Sequence, residues 1–171
     1  MNHVAIIGFM GSGKTRVGKR LAQDLDLPFV DVDRMIIKKM GMSIKEIFEK
    51  FGEPFYRAME TLIIKELAED SETKIISLGS GLPMQEQNQK YIKKLGTVVY
   101  LKGSLATLQK RLDGTNNPLL EGGDQGDKIK KLLKQRDPIY SKYADITVIT
   151  GEQPFESLIK EIEEELKKRK S

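Results

Sequence analysis

Residues 8 to 15 read Gly-Phe-Met-Gly-Ser-Gly-Lys-Thr, the spacing G-x-x-x-x-G-K-[ST] in which a glycine-rich turn closes around phosphates. Gly8, Gly11 and Gly13 let backbone N–H groups approach an anion that any Cβ would obstruct, and Ser12 sits between the last two. Lys14 supplies a cation for the β- and γ-phosphates, and Thr15 offers a hydroxyl to Mg2+. A helix opening here adds its positive N-terminal end to the same anion. Val4-Ala5-Ile6-Ile7 supplies an apolar strand ahead of the loop. Behind it Val17, Leu21 and Leu25 repeat every four residues, with Gly18 and Ala22 beside them. Strand, glycine loop and helix in that order imply a nucleotide site.

Further chemistry-bearing residues follow the later strands. In an open parallel sheet, ligands gather at the carboxyl ends of the strands. Asp31-Val32-Asp33 ends the second apolar run, and carboxylates at i and i+2 of an extended chain point to one side. One could then reach Mg2+ and the other a hydroxyl; alternatively Asp33 caps a helix beginning at Arg34 while Asp31 is solvated. Gly79-Ser80-Gly81 follows Ile75-Ile76-Ser77-Leu78 and either admits a ligand close to the backbone or makes an ordinary tight turn. Arg57 lies off the stripe set by Phe55 and Met59, with Glu53 at i−4 and Glu60 at i+3, the spacing of an ion-paired solvated face. Arg136 reads as the end of a helix ahead of Asp137-Pro138, where a cation complements the helix dipole. His3 is assigned a structural or solvated place and no chemical role.

The elements that hold these residues alternate. Runs with strand character lie at 3–7, 28–32, 74–78, 97–101 and 145–149, with helical patterns between them, which predicts a parallel sheet covered by helices. Ser43-Ile44-Lys45-Glu46 is a capping box ahead of an apolar face of Ile44, Ile47, Phe48 and Phe51. Phe55, Met59, Leu62, Ile63 and Leu67 form the expected core stripe of the next helix, and Phe155, Leu158, Ile159, Ile162 and Leu166 that of the last. The polar stretch 113–127 contains four glycines and reads as a lid. At 171 residues, 39% hydrophobic and 32% charged, the chain suits one domain over 1–171.

Composition also narrows the function classes. With no cysteine, neither a disulfide framework nor a thiolate metal site is possible. No apolar run reaches membrane-spanning length, and the first strand begins within three residues, leaving no room for a signal peptide; a cytoplasmic protein is expected. The pI is near 9.1, but the basic end Lys167-Lys168-Arg169-Lys170 follows Glu161 and Glu163 to Glu165 on one helix. That reads as a solvated helix end rather than a nucleic-acid surface.

Taken in order, the motifs resemble the shikimate kinases, small P-loop enzymes of the nucleoside-monophosphate-kinase type. The shared features span nearly the whole chain. They are the loop at 8–15, Phe29-Val30-Asp31-Val32-Asp33, the stretch from Ile47-Phe48 through Gly52-Glu53 to Phe55-Tyr56-Arg57 and Glu60, Leu78-Gly79-Ser80-Gly81, Pro118-Leu119-Leu120, and Arg136 ahead of Pro138-Ile139-Tyr140. The resemblance implies a three-layer α/β/α fold with a five-stranded parallel sheet in the order 2-3-1-4-5, substrate-binding helices at about 33–61 and a lid at about 112–125. It implies transfer of the ATP γ-phosphate to the 3-hydroxyl of shikimate, in a monomer. Asp33 and Lys14 would be catalytic, and Arg57 and Arg136 would grip the substrate carboxylate. Asp33, Gly79, Ser80 and Gly81 would meet its ring, and Thr15 and Asp31 would serve the metal. ATP would contact Gly11 to Thr15, Arg111, Asn117 and Gln153.

Two positions depart from the family pattern. Ser80 stands where the family usually has the middle of three glycines, and Asn117 stands where the lid arginine precedes Pro-Leu-Leu. An amide donates a hydrogen bond but does not neutralise charge developing on a phosphoryl group. These departures keep two other readings open: a P-loop kinase for another small hydroxy acid such as gluconate, and a nucleotide-binding regulatory module. A GTPase switch lacks its Asn-Lys-x-Asp segment here. A finger arginine is worth roughly 10³ or more in turnover, so a working but slow kinase is expected and Asn117→Arg should raise kcat. Unchanged turnover would show that Lys110, Arg111 or Lys128 already fills that place.

Overall fold

The computed structural model describes residues 3–115, 120 and 122–170. Five strands, β1 (His3–Gly8), β2 (Phe29–Asp31), β3 (Ile75–Ser77), β4 (Gly96–Gly103) and β5 (Ile146–Thr150), form one parallel sheet in the order β2-β3-β1-β4-β5. Between them run α1 (Lys14–Leu25), α2 (Val32–Met40), α3 (Ile44–Phe51), α4 (Glu53–Glu69), α5 (Gln89–Leu95), α6 (Leu105–Leu112) and α7 (Gln125–Tyr143), and α8 (Phe155–Lys170) closes the chain. No described helix is long and apolar enough to cross a membrane.

Strand periodicity explains the layers. Successive residues of a strand face opposite sides, and every residue of β1 is buried. Ala5 and Ile7 join one core with Ile76, Leu78, Val98 and Tyr100, to which α2 to α7 contribute. Val4 and Ile6 join a second core with Val99, Leu101 and Val148, covered by α1 and α8. Covering both faces is what gives the central strands their unbroken apolar runs. β5, at the edge, alternates instead, with Thr147 and Ile149 exposed. β1 pairs with β3 on one side and β4 on the other, so the crevice of the sheet opens at its carboxyl end, where the glycine loop begins. His3 is structural: its Nδ1 accepts the Lys74 amide and its Nε2 donates to the Asp70 carbonyl, both at 3.0 Å.

Three sequence expectations are corrected. The apolar faces of α3 and α4 do not include Phe51 and Leu62, which are 50% and 48% exposed. The buried face of α4 is instead Tyr56, Arg57, Glu60, Ile63, Ile64, Leu67 and Ala68, because this helix presents charged groups to a cavity. The helix carrying Arg136 does not end before Pro138 but runs through it to Tyr143. Pro138 has no N–H for the Lys134 carbonyl, yet its surroundings are pinned. The Asp137 carboxylate accepts the Tyr100 hydroxyl at 2.5 Å and Tyr140 donates to the Ser80 carbonyl at 2.6 Å. Finally, β2 stops at Asp31 and a helix starts at Val32, so Asp31 and Asp33 are not alternate residues of one strand.

Gly18 couples α1 to the sheet. A Cβ built there would lie 2.3 Å from Phe29 Cε1. Replacing an interior helix glycine by alanine ordinarily gains about 1 kcal/mol, but overpacking costs about 1–3 kcal/mol. Gly18→Ala is therefore expected to lower stability in urea unfolding; a variant as stable as the parent would show that the Phe29 ring yields without cost.

Candidate functional site

The loop after β1 is shaped for an anion. Gly11 and Gly13 take φ of +81° and +97°, a region that side chains disfavour. Gly13 then caps α1, whose first amides open toward the loop. Lys14 arches back over the turn, donating to the carbonyls of Gly8 at 2.9 Å and Phe9 at 3.1 Å. Burial lowers its ammonium to a pKa of about 8, against the opposing pull of Asp33 and Asp31. Thr15 Oγ1 donates to Asp31 Oδ2 at 2.8 Å, and Asp31 Oδ1 accepts the Arg34 amide at 3.3 Å as the cap of α2. It is thus Asp31, not Asp33, that caps this helix. Among the described residues no three His, Cys, Asp or Glu side chains gather to hold a metal. Two hard oxygens at 2.8 Å nonetheless suit Mg2+, which keeps water and takes phosphate oxygens for the rest of its shell.

Beside the loop lies a cavity of about 590 Å³ lined by Asp33, Tyr56, Arg57, Glu60, Ser80 and Gly81 among others. The start of α4 brings three of these together. Arg57 Nε donates to Glu53 Oε2 at 3.1 Å and Nη1 to Glu60 Oε1 at 2.7 Å. Glu60 is fully buried and its Oε2 has no partner. Burial pushes its carboxyl up to about 7, although Arg57 resists. Asp33 reaches the cavity from the first turn of α2; its Oδ1 accepts the Tyr56 hydroxyl. Burial also raises the Asp33 carboxyl, and the Tyr56 bond opposes that rise.

The turn after β3 is squeezed between these groups. A Cβ on Gly79 would stand 2.7 Å from Asp33 Oδ1 and 2.9 Å from Glu60 Oε2, and one on Gly81 would meet the Arg57 guanidinium at 2.6 Å. Ser80 carries a side chain without backbone strain, since Asp26 is the sole described non-glycine residue with positive φ. The Ser80 hydroxyl accepts from Arg136 Nη1 at 3.2 Å. Arg136 is itself buried, beside Ser80.

A second cavity, of about 230 Å³, lies on the other side of the loop between Gly11, Ser12, Gly13, Arg111, Thr150 and Phe155. Arg111 borders both cavities, its Nη1 donating to the carbonyls of Gly11 and Ser12 at 3.1 Å and to Thr150 Oγ1 at 3.3 Å. The Gln153 side chain turns away to the Ile149 carbonyl and to Glu161. Asn117 lies outside the described residues, as do Pro118 and Leu119. Glu60 and Tyr56 are site residues to which sequence reasoning gave no role. The polar spacing 53, 57, 60 was visible, but it reads equally as a solvated ion-paired face.

Comparison with known proteins agrees along the chain. The family model described as shikimate kinase matches residues 10–167. A shikimate kinase of Thermodesulfovibrio yellowstonii is 42% identical over 168 residues, covering 95% of this chain and 96% of the relative. A solved shikimate kinase from Acinetobacter baumannii, in complex with shikimate, superposes with a TM-score of 0.92 at 34% identity, covering 99% of this chain and 95% of that one. A gluconokinase from Sinorhizobium meliloti, covering 98% and 92% of the two chains with a TM-score of 0.65, is 18% identical and shares the fold alone.

The Glu60 carboxyl carries a pH signature. Its pKa rises from 4.5 to about 7 on folding, so the stability it contributes is complete below 4.5 and is lost as pH rises through 7. Between pH 5.5 and 8.5 the loss is about 2 kcal/mol at 1.36 kcal/mol per unit. Urea unfolding should therefore show the parent losing more stability over that interval than Glu60→Gln; parallel losses would contradict the raised pKa.

Proposed function

The chain belongs to the shikimate kinase family, and from that premise we propose that it transfers the γ-phosphate of ATP to the 3-hydroxyl of shikimate. The observation that carries this reading is the pairing of two sites across one loop. An anion-shaped turn ending in Lys14 adjoins a cavity in which a buried arginine, a carboxylate and a glycine-flanked turn converge.

The acceptor carries one carboxylate and three hydroxyls. Arg57 offers its guanidinium from the cavity wall, and Arg136 offers a second from beside Ser80. Planar guanidinium groups match a carboxylate in two-point contact. Gly79, Ser80 and Gly81 bring backbone close to the ring. Asp33 accepts a hydrogen bond from the reacting hydroxyl. Because phosphoryl transfer passes through a loose transition state, the hydroxyl oxygen attacks phosphorus before losing much of its proton, and Asp33 takes that proton late. Lys14 stays with the phosphates and offsets negative charge as the bond to the leaving ADP lengthens. Mg2+ held at Thr15 and Asp31 would supply further charge neutralisation on the phosphates. Arg111 borders the nucleotide side; the loop before Pro154 would pass the other side of the base, and the segment at about 112–125, including Asn117, would serve as the lid over the donor. A cytoplasmic monomer completes the reading.

A coupled assay of ADP release with ATP and Mg2+ tests it with shikimate, gluconate or no acceptor. Activity with shikimate is expected; activity with gluconate alone would move the substrate, and none with any acceptor would favour a regulatory module. In the same assay Arg136→Gln should raise the KM for shikimate about tenfold or more, in line with the loss of a charge-assisted bond, while leaving the KM for ATP unchanged.

A further inference from the structure

Tyr56 has no part in the chemistry described so far, yet its hydroxyl ends on the carboxylate at the centre of it. The residue lies in the second turn of α4, between Glu53 and Arg57, and is buried on the cavity wall. Its ring packs on Phe48 with centroids 5.3 Å apart, which fixes the direction of the hydroxyl. That hydroxyl donates to Asp33 Oδ1. Burial raises the phenol far above its ordinary range, so it remains a donor at any working pH. The same Oδ1 faces the Gly79 backbone, where a Cβ would approach within 2.7 Å. One carboxylate oxygen is thus enclosed between α4 and the turn after β3. Oδ2 is the oxygen left for a ligand, since among the described residues the Asp33 side chain makes no other hydrogen bond, and it lines the cavity.

We propose that Tyr56 is a positioning residue for phosphoryl transfer: by holding Asp33 Oδ1 against the Gly79 turn, its hydroxyl fixes the carboxylate plane so that Oδ2 meets the acceptor hydroxyl. This rests on the reading that Asp33 orients that hydroxyl. A carboxylate on a helix has free rotation about its terminal torsion, which is broad and nearly two-fold. Without a partner on one oxygen, the acceptor hydroxyl would meet a range of orientations. Misorientation lowers the fraction of bound complexes that react rather than the fraction bound, so the effect belongs in kcat.

Tyr56→Phe keeps the ring and its packing on Phe48 and deletes only the hydroxyl. It is expected to lower kcat about tenfold, the order set by one hydrogen bond to a charged group, with the KM values for shikimate and ATP within about twofold. Asp33→Ala is expected to lower kcat more, and adding Tyr56→Phe to it should change kcat no further, since residues acting as a unit are non-additive. Three results would overturn the proposal. An unchanged kcat in Tyr56→Phe with a large loss in Asp33→Ala removes Tyr56 alone. An equal further loss in the double variant makes Tyr56 act independently of Asp33. Wild-type kcat in Asp33→Ala removes the role of Asp33, and that of Tyr56 with it.

Discussion

Arg57 and Glu60 lie one turn apart on α4, both buried and 2.7 Å from each other. Taking either ion out of water alone would cost several kcal/mol, so their contact is the condition for a charged face on a helix that otherwise packs through Ile63, Ile64 and Leu67. Much of the neighbourhood follows from it. The guanidinium fills the space a side chain at 81 would need, and the Glu60 carboxylate together with Asp33 fills the space at 79. A turn pressed against three charged groups has room for a side chain only at its middle, and Ser80 directs its hydroxyl to Arg136 on another helix. The pair therefore shapes the turn, and the turn links α4 to α7.

The sheet determines what this charged wall faces. β1 sits between β3 and β4, and the chain leaves it into the phosphate loop at the point where strand order reverses. β3 delivers Gly79 to Gly81 to the same end of the sheet, one strand away, and β2 delivers Asp31 from the next. Thr15 and Asp31 join the two sides through a 2.8 Å bond, so α1 and the start of α2 are held in mutual register. The Phe29 ring against Gly18 fastens α1 to β2, the strand that leads into α2. The phosphate loop and the cavity beside it are thus held in one corner of the fold, so the chain itself sets the orientation of groups bound in the two.

How much of this could be read from the sequence depended on whether the signal was local. Strand positions, the loop at 8–15 and the capping box at Ser43 rest on neighbours in the chain, and they were legible. The order β2-β3-β1-β4-β5 and the site residues came through resemblance to a family, since no spacing rule places Arg136 beside Ser80 across 56 positions. Where local rules compete with tertiary contacts they misled. Glu53, Arg57 and Glu60 have the spacing of a solvated face, and only the cavity shows that two of the three are buried. Pro138 reads as a helix stop, but side chains on either side of it are anchored to Tyr100 and Ser80 and carry the helix through. Asp31 and Asp33 looked like strand neighbours because nothing in Asp-Val-Asp reports that the strand ends at its first residue.

The unsatisfied groups show where the fold leaves capacity unused. Among the described residues three buried side-chain oxygens lack a hydrogen-bond partner: Glu163 Oε1 on α8, and, in the cleft, Ser12 Oγ of the phosphate loop and Glu60 Oε2 beside the larger cavity. A buried polar atom left unpaired costs about 1–3 kcal/mol, and a domain with a well-packed core does not need to leave one there. The places of Ser12 and Glu60 in the two halves of the cleft accord with a site whose polar groups are completed by ligands rather than by the chain. The raised Glu60 carboxyl fits the same account: it is set by burial and only partly relieved by Arg57. If Glu60 held Arg57 with both oxygens, the guanidinium would be more fully engaged within α4. Holding it with one keeps the arginine fixed in position and still available on the cavity wall.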